Sequence, residues 1–135
     1  MSDALLSLQR AIVARLNGDP ELVALLGGAR TYEHVPASTS HPFIAFESLG
    51  ARDYPASGAA ICEHRIALLC VSREPGTKQA LLIAQRAQEL LETGLLNLEG
   101  HRLANLRTTA IEIVRSGREP LRKARIRLRA VTETM

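Results

Sequence analysis

The sequence predicts an α+β fold: a mainly antiparallel β-sheet with two main α-helices packed on one face. Three observations predict it. Two segments carry apolar residues at helical spacing, several others alternate with period two, and most connections between the alternating segments are too short for parallel crossovers. The 135 residues fit one domain spanning 1–135, with 46% hydrophobic and 23% charged residues. The four aromatics are Tyr32, Phe43, Phe46 and Tyr54, with no Trp, so the core is aliphatic and a base-stacking surface is disfavoured.

Leu5, Leu8, Ile12 and Leu16 mark an N-terminal helix over 3–16, with Ser2 or Asp3 as candidate cap and Gly18 as its stop. Its charges, Asp3, Arg10 and Arg15, make it an amphipathic helix rather than a secretory signal. Asp19-Pro20-Glu21 restarts a short helix that Gly27-Gly28 ends. Strands are expected at 30–35 and 43–49, separated by the polar loop PASTSHP, and residues 50–60 read as a mobile loop of small residues. Residues 61–73 form the clearest strand. Pro75-Gly76-Thr77 then leads into a helix over 78–93, whose Ala80, Ile83, Ala84, Ala87, Leu90 and Leu91 share one face. The chain turns at Glu99-Gly100 and closes with strands at 102–115 and 121–133.

Alternation assigns the faces. Ile66, Leu68, Cys70, Ile111, Ile113, Ala124, Ile126, Leu128 and Ala130 point toward the helices. On the other side fall Glu63, Arg65, Ala67, Leu69 and Val71, then Ala110, Glu112 and Val114, then Lys123, Arg125, Arg127 and Arg129 as a basic stripe. Two helices cover only one face, so the second is expected to expose Leu69, Val71 and Val114 among charges of both signs, a mixture suited to cover by another subunit. The charges admit two readings: Glu47, Glu63 and Glu112 pair with the arginines inside one sheet, or the stripe meets a partner. Residues 102–129 hold nine basic and two acidic residues, an excess of +7 that leaves −4 for the rest of a chain of net charge +3. Such a molecule can pair with copies of itself or with an acidic partner.

Chemistry is sparse. Cys62 and His64 share a strand side and could meet one ion, but no second ligand pair has metal-site spacing, and half-buried strand positions are the simpler account. Cys62 and Cys70 would lie about 26 Å apart along a strand, too far to bridge, and read as reduced intracellular thiols. No nucleophile elbow or phosphate loop is present, and an enzyme would need a cluster such as His64 with His101 assembled by folding. No catalytic residue, metal ligand or cofactor is therefore expected. The alternative to a subunit is a small basic nucleic-acid-binding protein using the stripe on phosphates, which would show steep salt dependence.

The ordered series of segments resembles one known family. After an N-terminal helix come DPELVALLGGARTYEHVP, HPFIAFE and EHRIALLCVSRE, then LNLEGHRLANLR and the closing RIRLRAVTET, with the GHRL turn and the RAVTE-like ending the most specific part. The whole chain is similar to the tail-completion proteins of long-tailed phages, also called tail-terminator or tail-to-head joining proteins, with related subunits in gene transfer agents. It departs at Cys70-Val71-Ser72-Arg73, where an aromatic often precedes Ser-Arg.

The resemblance implies a non-enzymatic virion subunit, assembled in the host cytoplasm. It would form a homo-oligomeric, typically hexameric ring on the last ring of the tail tube, end tube polymerisation and join the tail to the head connector. Its partners would then be sister subunits, the tail-tube protein and the head-tail connector protein, with no membrane, and DNA passing through without specific binding.

Overall fold

The computed structural model describes residues 2–54, 60–94, 96–114 and 120–134. The elements run α1 (Ser2–Asn17), α2 (Pro20–Leu26), β1 (Thr31–Tyr32), β2 (Phe43–Tyr54), β3 (Ile61–Ser72), α3 (Lys78–Thr93), β4 (His101–Val114) and β5 (Arg122–Thr134). Five strands form one sheet in the order β1-β2-β3-β5-β4. Every pairing is antiparallel except β1 with β2, so the α+β architecture stands as expected.

Helix ends follow from local chemistry. Asp19 caps α2, its carboxylate accepting from the Leu22 N–H at 2.9 Å, while Pro20 fits the first turn because it has no N–H to leave unpaired. Gly27 ends α2 at φ +80°, where a side chain would be strained. Thr77 stands at the N-cap of α3 without a side-chain cap bond. The candidate caps of α1, Ser2 and Asp3, have side chains outside the described residues.

The core lies between the helices and one sheet face. Leu8, Ile12 and Leu16 of α1, Leu22 and Leu26 of α2, and Ile83, Ala87 and Leu91 of α3 bury against Ile66, Leu68 and Cys70 of β3 and Ala124, Ile126, Leu128 and Ala130 of β5. These are the strand positions that alternation assigned inward. No helix of the described residues is long and apolar enough to cross a membrane.

Three expectations need correction. The strand at 30–35 shrinks to the two residues of β1. Residues 50–54 continue β2 in register with Ile61–Arg65 rather than opening a loop, and the rest of that loop, 55–59, lies outside the described residues. Finally, Val71 on the outer face is buried, not exposed, and Leu69 and Val114 are half-buried. Val71 sits between Phe43 and Lys123 on the flanking strands, whose larger side chains flank it from both sides.

Candidate functional site

Register decides what the outer face looks like. Three bulges adjust it: between Phe46 and Ser48 in β2, and at Leu103/Asn105 and Thr108/Ala110 in β4. Each inserts a residue, so that Phe46 and Leu49, or Leu103 and Leu106, reach the helix side although three positions apart. All eleven residues singled out from the sequence (Glu47, Glu63, Arg65, Leu69, Val71, Glu112, Val114, Lys123, Arg125, Arg127 and Arg129) lie on the outer face. The three helices pack on the opposite one.

The stripe finds its acids inside its own sheet. Arg125 makes a bidentate pair with Glu47, Nε to Oε1 at 2.5 Å and Nη2 to Oε2 at 2.7 Å. Because β3 lies between β5 and β2, this pair must cross over β3. Arg125 Nη1 also lies 3.4 Å from Glu112, which accepts from Arg127 Nε at 2.8 Å. Arg129 bonds Glu63 diagonally on β3, and Arg65 lies 3.4 Å from the same carboxylate.

These bonds hold the carboxyls of Glu47, Glu63 and Glu112 below the ordinary range, through Arg125, Arg129 and Arg127 respectively. Arg125 is held further into its charged form, first by Glu47. The first reading of the charges, pairing within the sheet, therefore describes these three arginines. Cross-strand charge pairs on a sheet face contribute little to stability, so they fix geometry more than they stabilise.

The inner face carries the other candidates. His64 is fully buried, with Nε2 2.9 Å from Thr132 Oγ1 and Nδ1 without a partner. His101 is buried nearby, and burial lowers the His64 pKa from its ordinary value. Cys62 donates to Asp53 Oδ1 at 3.0 Å. Burial raises its thiol pKa, and burial pushes the Cys70 thiol up to about 12. Both cysteines are free, and neither is an activated nucleophile. Among the described residues no group of three His, Cys, Asp or Glu could hold a metal ion, so Cys62 and His64 gain no third ligand there.

Sequence reasoning missed two features. Arg52 and Arg107 join the outer-face charges, and Asp19 is gripped by Arg86 of α3 through Nε at 3.0 Å and Nη2 at 2.8 Å. The Asp19-Pro20-Glu21 signal announced the cap, but nothing in the pattern announced a partner 67 residues away.

Comparison with known proteins extends this picture. The family model described as tail completion protein gp17 matches residues 10–133. No curated protein matches the chain. Among solved structures, a chain from one titled "Virion of native gene transfer agent (GTA) particle" superposes with a TM-score of 0.88, covering 98% of this chain and 99% of that chain at 22% identity. That likeness establishes a shared fold.

Proposed function

The chain belongs to the tail completion protein gp17 family, and from that premise we propose that it closes into a ring on the end of the tail tube. There it ends tube polymerisation and joins the tail to the head connector. A structural place in a phage-type virion tail comes with the family; the ring, its six subunits and its two contact partners are the further step. The observation that carries the proposal is the family match from residue 10 to 133.

The geometry supports it. A sheet with every helix on one side leaves its second side to be covered from outside. That side here mixes Leu69 and Val114 with ordered ion pairs, a composition suited to a subunit contact. A head-to-tail contact closes into a ring when the rotation per subunit divides a full turn. In this reading the eleven outer-face residues meet sister subunits or the tube, and DNA passes through the ring without specific recognition. A non-enzymatic role accords with the family.

The test is mass measurement of the purified protein with and without its tail-tube protein. A ring forming on the tube is expected, and a chain that stays monomeric under both conditions refutes the proposal. Arg127→Glu, which sets a second acid beside Glu112, is expected to weaken assembly without unfolding the subunit. Unchanged assembly of that variant removes the stripe from the contact.

A further inference from the structure

Two clusters on opposite sides of the fold are charge inversions of one another. On the outer face, the register sets Arg65, Arg129 and Arg107 in one row across β3, β5 and β4, with Arg52 directly opposite Glu63. One carboxylate serves this group. Glu63, only 7% exposed, accepts from Arg129 and lies 3.4 Å from Arg65. Arg52 rests 5.5 Å from the centre of the Tyr54 ring, and Arg107 has no acidic partner among the described residues. Like charges placed directly opposite on neighbouring strands are unfavourable. Four guanidiniums around one carboxylate leave a local surplus of positive charge.

The helix layer carries the inverse. A single guanidinium, that of Arg86, is bidentate to Asp19 and lies 3.8 Å from Glu21 and 4.0 Å from Glu89. Glu92, one turn beyond Glu89 on α3, accepts from the Thr108 N–H at 2.7 Å. Arg15 also acts on Asp19, but its Nε is turned onto the Leu90 carbonyl at 3.1 Å. Four carboxylates against two guanidiniums leave a surplus of negative charge. The ends that reach solvent match in exposure, with side chains 67% exposed at Arg65, 66% at Glu21 and 65% at Glu89.

We infer that these two clusters are the two halves of a head-to-tail contact between copies of this chain, the Arg65–Arg129–Arg107 row of one subunit facing Glu21 and Glu89 of the next. The inference rests on the ring reading above and goes further by naming the surfaces that meet. Two different surfaces on one chain, each with a surplus of the opposite sign, are what a heterologous contact requires. A nucleic-acid phosphate backbone would account for the arginines and leave the acidic cluster without a purpose. The neighbouring Arg125 and Arg127 are already neutralised by Glu47 and Glu112, so they add shape to the contact rather than charge.

The experiment is a charge swap in the full chain. One variant carries Arg65→Glu with Arg107→Glu, a second carries Glu21→Lys with Glu89→Lys, and a third carries all four. Assembly is followed by mass measurement against concentration at low ionic strength, in the presence of the tail-tube protein, with thermal unfolding of each free variant as the check on folding. Each double variant is expected to raise the half-assembly concentration by about tenfold or more, and the quadruple variant to return to within about threefold of wild type.

A quadruple variant no better than the doubles overturns the inference, and so does assembly of all three variants at the wild-type concentration. Both leave the ring reading standing. A wild-type chain that never self-associates, with or without the tube protein, removes the ring reading and this one together. Loss of duplex-DNA binding in the arginine double variant, with assembly unchanged, assigns the row to phosphate and also overturns it.

Discussion

Acidification from pH 7.5 to 5.0 should destabilise this fold mainly through His64. The imidazole is fully buried on the inner side of β3, between Ala51 of β2 and Ala130 of β5. Its Nε2 meets Thr132 and its Nδ1 has no partner, so a proton taken up there would be buried with one ring nitrogen unpaired. Burial therefore lowers its pKa from 6.5. The sign follows from linkage. Above 6.5 both folded and unfolded chains hold His64 neutral, and its contribution is constant. Below that value the unfolded chain takes up a proton that the folded chain refuses, so stability falls as pH drops toward the folded pKa.

One proton is worth at most about 1.4 kcal/mol per pH unit, which sets a ceiling of about 2 kcal/mol between pH 6.5 and 5.0. The paired carboxylates stay out of this window. Asp19, Glu47, Glu63 and Glu112 are lowered from 3.8 or 4.5, so their contributions are lost only at more acidic pH. His41, lowered by burial and by Arg73, contributes with the same sign. Urea unfolding in half-unit pH steps, on wild type, His64→Gln and His41→Gln, separates them. Gln can still bond Thr132 but takes up no proton. A wild-type profile flat from 6.5 to 5.0, or a His64→Gln profile with the wild-type slope, refutes the reasoning.

Other substitutions probe the remaining parts. Ile126→Ala empties a fully buried position on β5 between Leu68 and Ile111, and denaturant unfolding should show a loss of about 2–5 kcal/mol. Gly27→Ala places a side chain at φ +80° against the Arg30 guanidinium and should cost about 1 kcal/mol by the same assay. Arg125→Met removes the bond holding the Glu47 carboxyl down, and that pKa should rise toward its ordinary value in an NMR titration. The Glu112 carboxyl should move less, because Arg127 still holds it.

What the sequence revealed depended on burial. β5 alternates without interruption, so its inward Ala124, Ile126, Leu128 and Ala130 and its outward basic residues were legible residue by residue. The helix at 78–93 was equally plain, because α3 buries one stripe along its whole length. The 50–54 segment carries no such signal, for the opposite reason. Its helix-side residues Ala51 and Asp53 are exposed, so pairing with β3 holds it and no burial prints an alternating pattern. β1 pairs with β2 through two residues and is held besides by the Asn17 side chain on both backbone groups of Thr31, too short a segment to leave a period.

The outer face was readable as a list and not as a map. Which arginine meets which acid depends on the bulges in β2 and β4, and no spacing rule places Arg129 beside a Glu63 that lies 66 residues earlier. The row of Arg65, Arg129 and Arg107 emerges only once β3, β5 and β4 are set in register. The family resemblance, by contrast, rests on segment order, which survives such local uncertainty.

The long border strand β4 has a bearing on how subunits wait before use. A fourteen-residue strand with one unpaired side invites other chains to stack on by backbone hydrogen bonding. Here two irregularities interrupt its line, and the Glu92 carboxylate occupies the Thr108 N–H. Such a border makes a poor template for endless lateral growth. The same fold that leaves one sheet face open to a partner thus closes its long border to edgewise stacking.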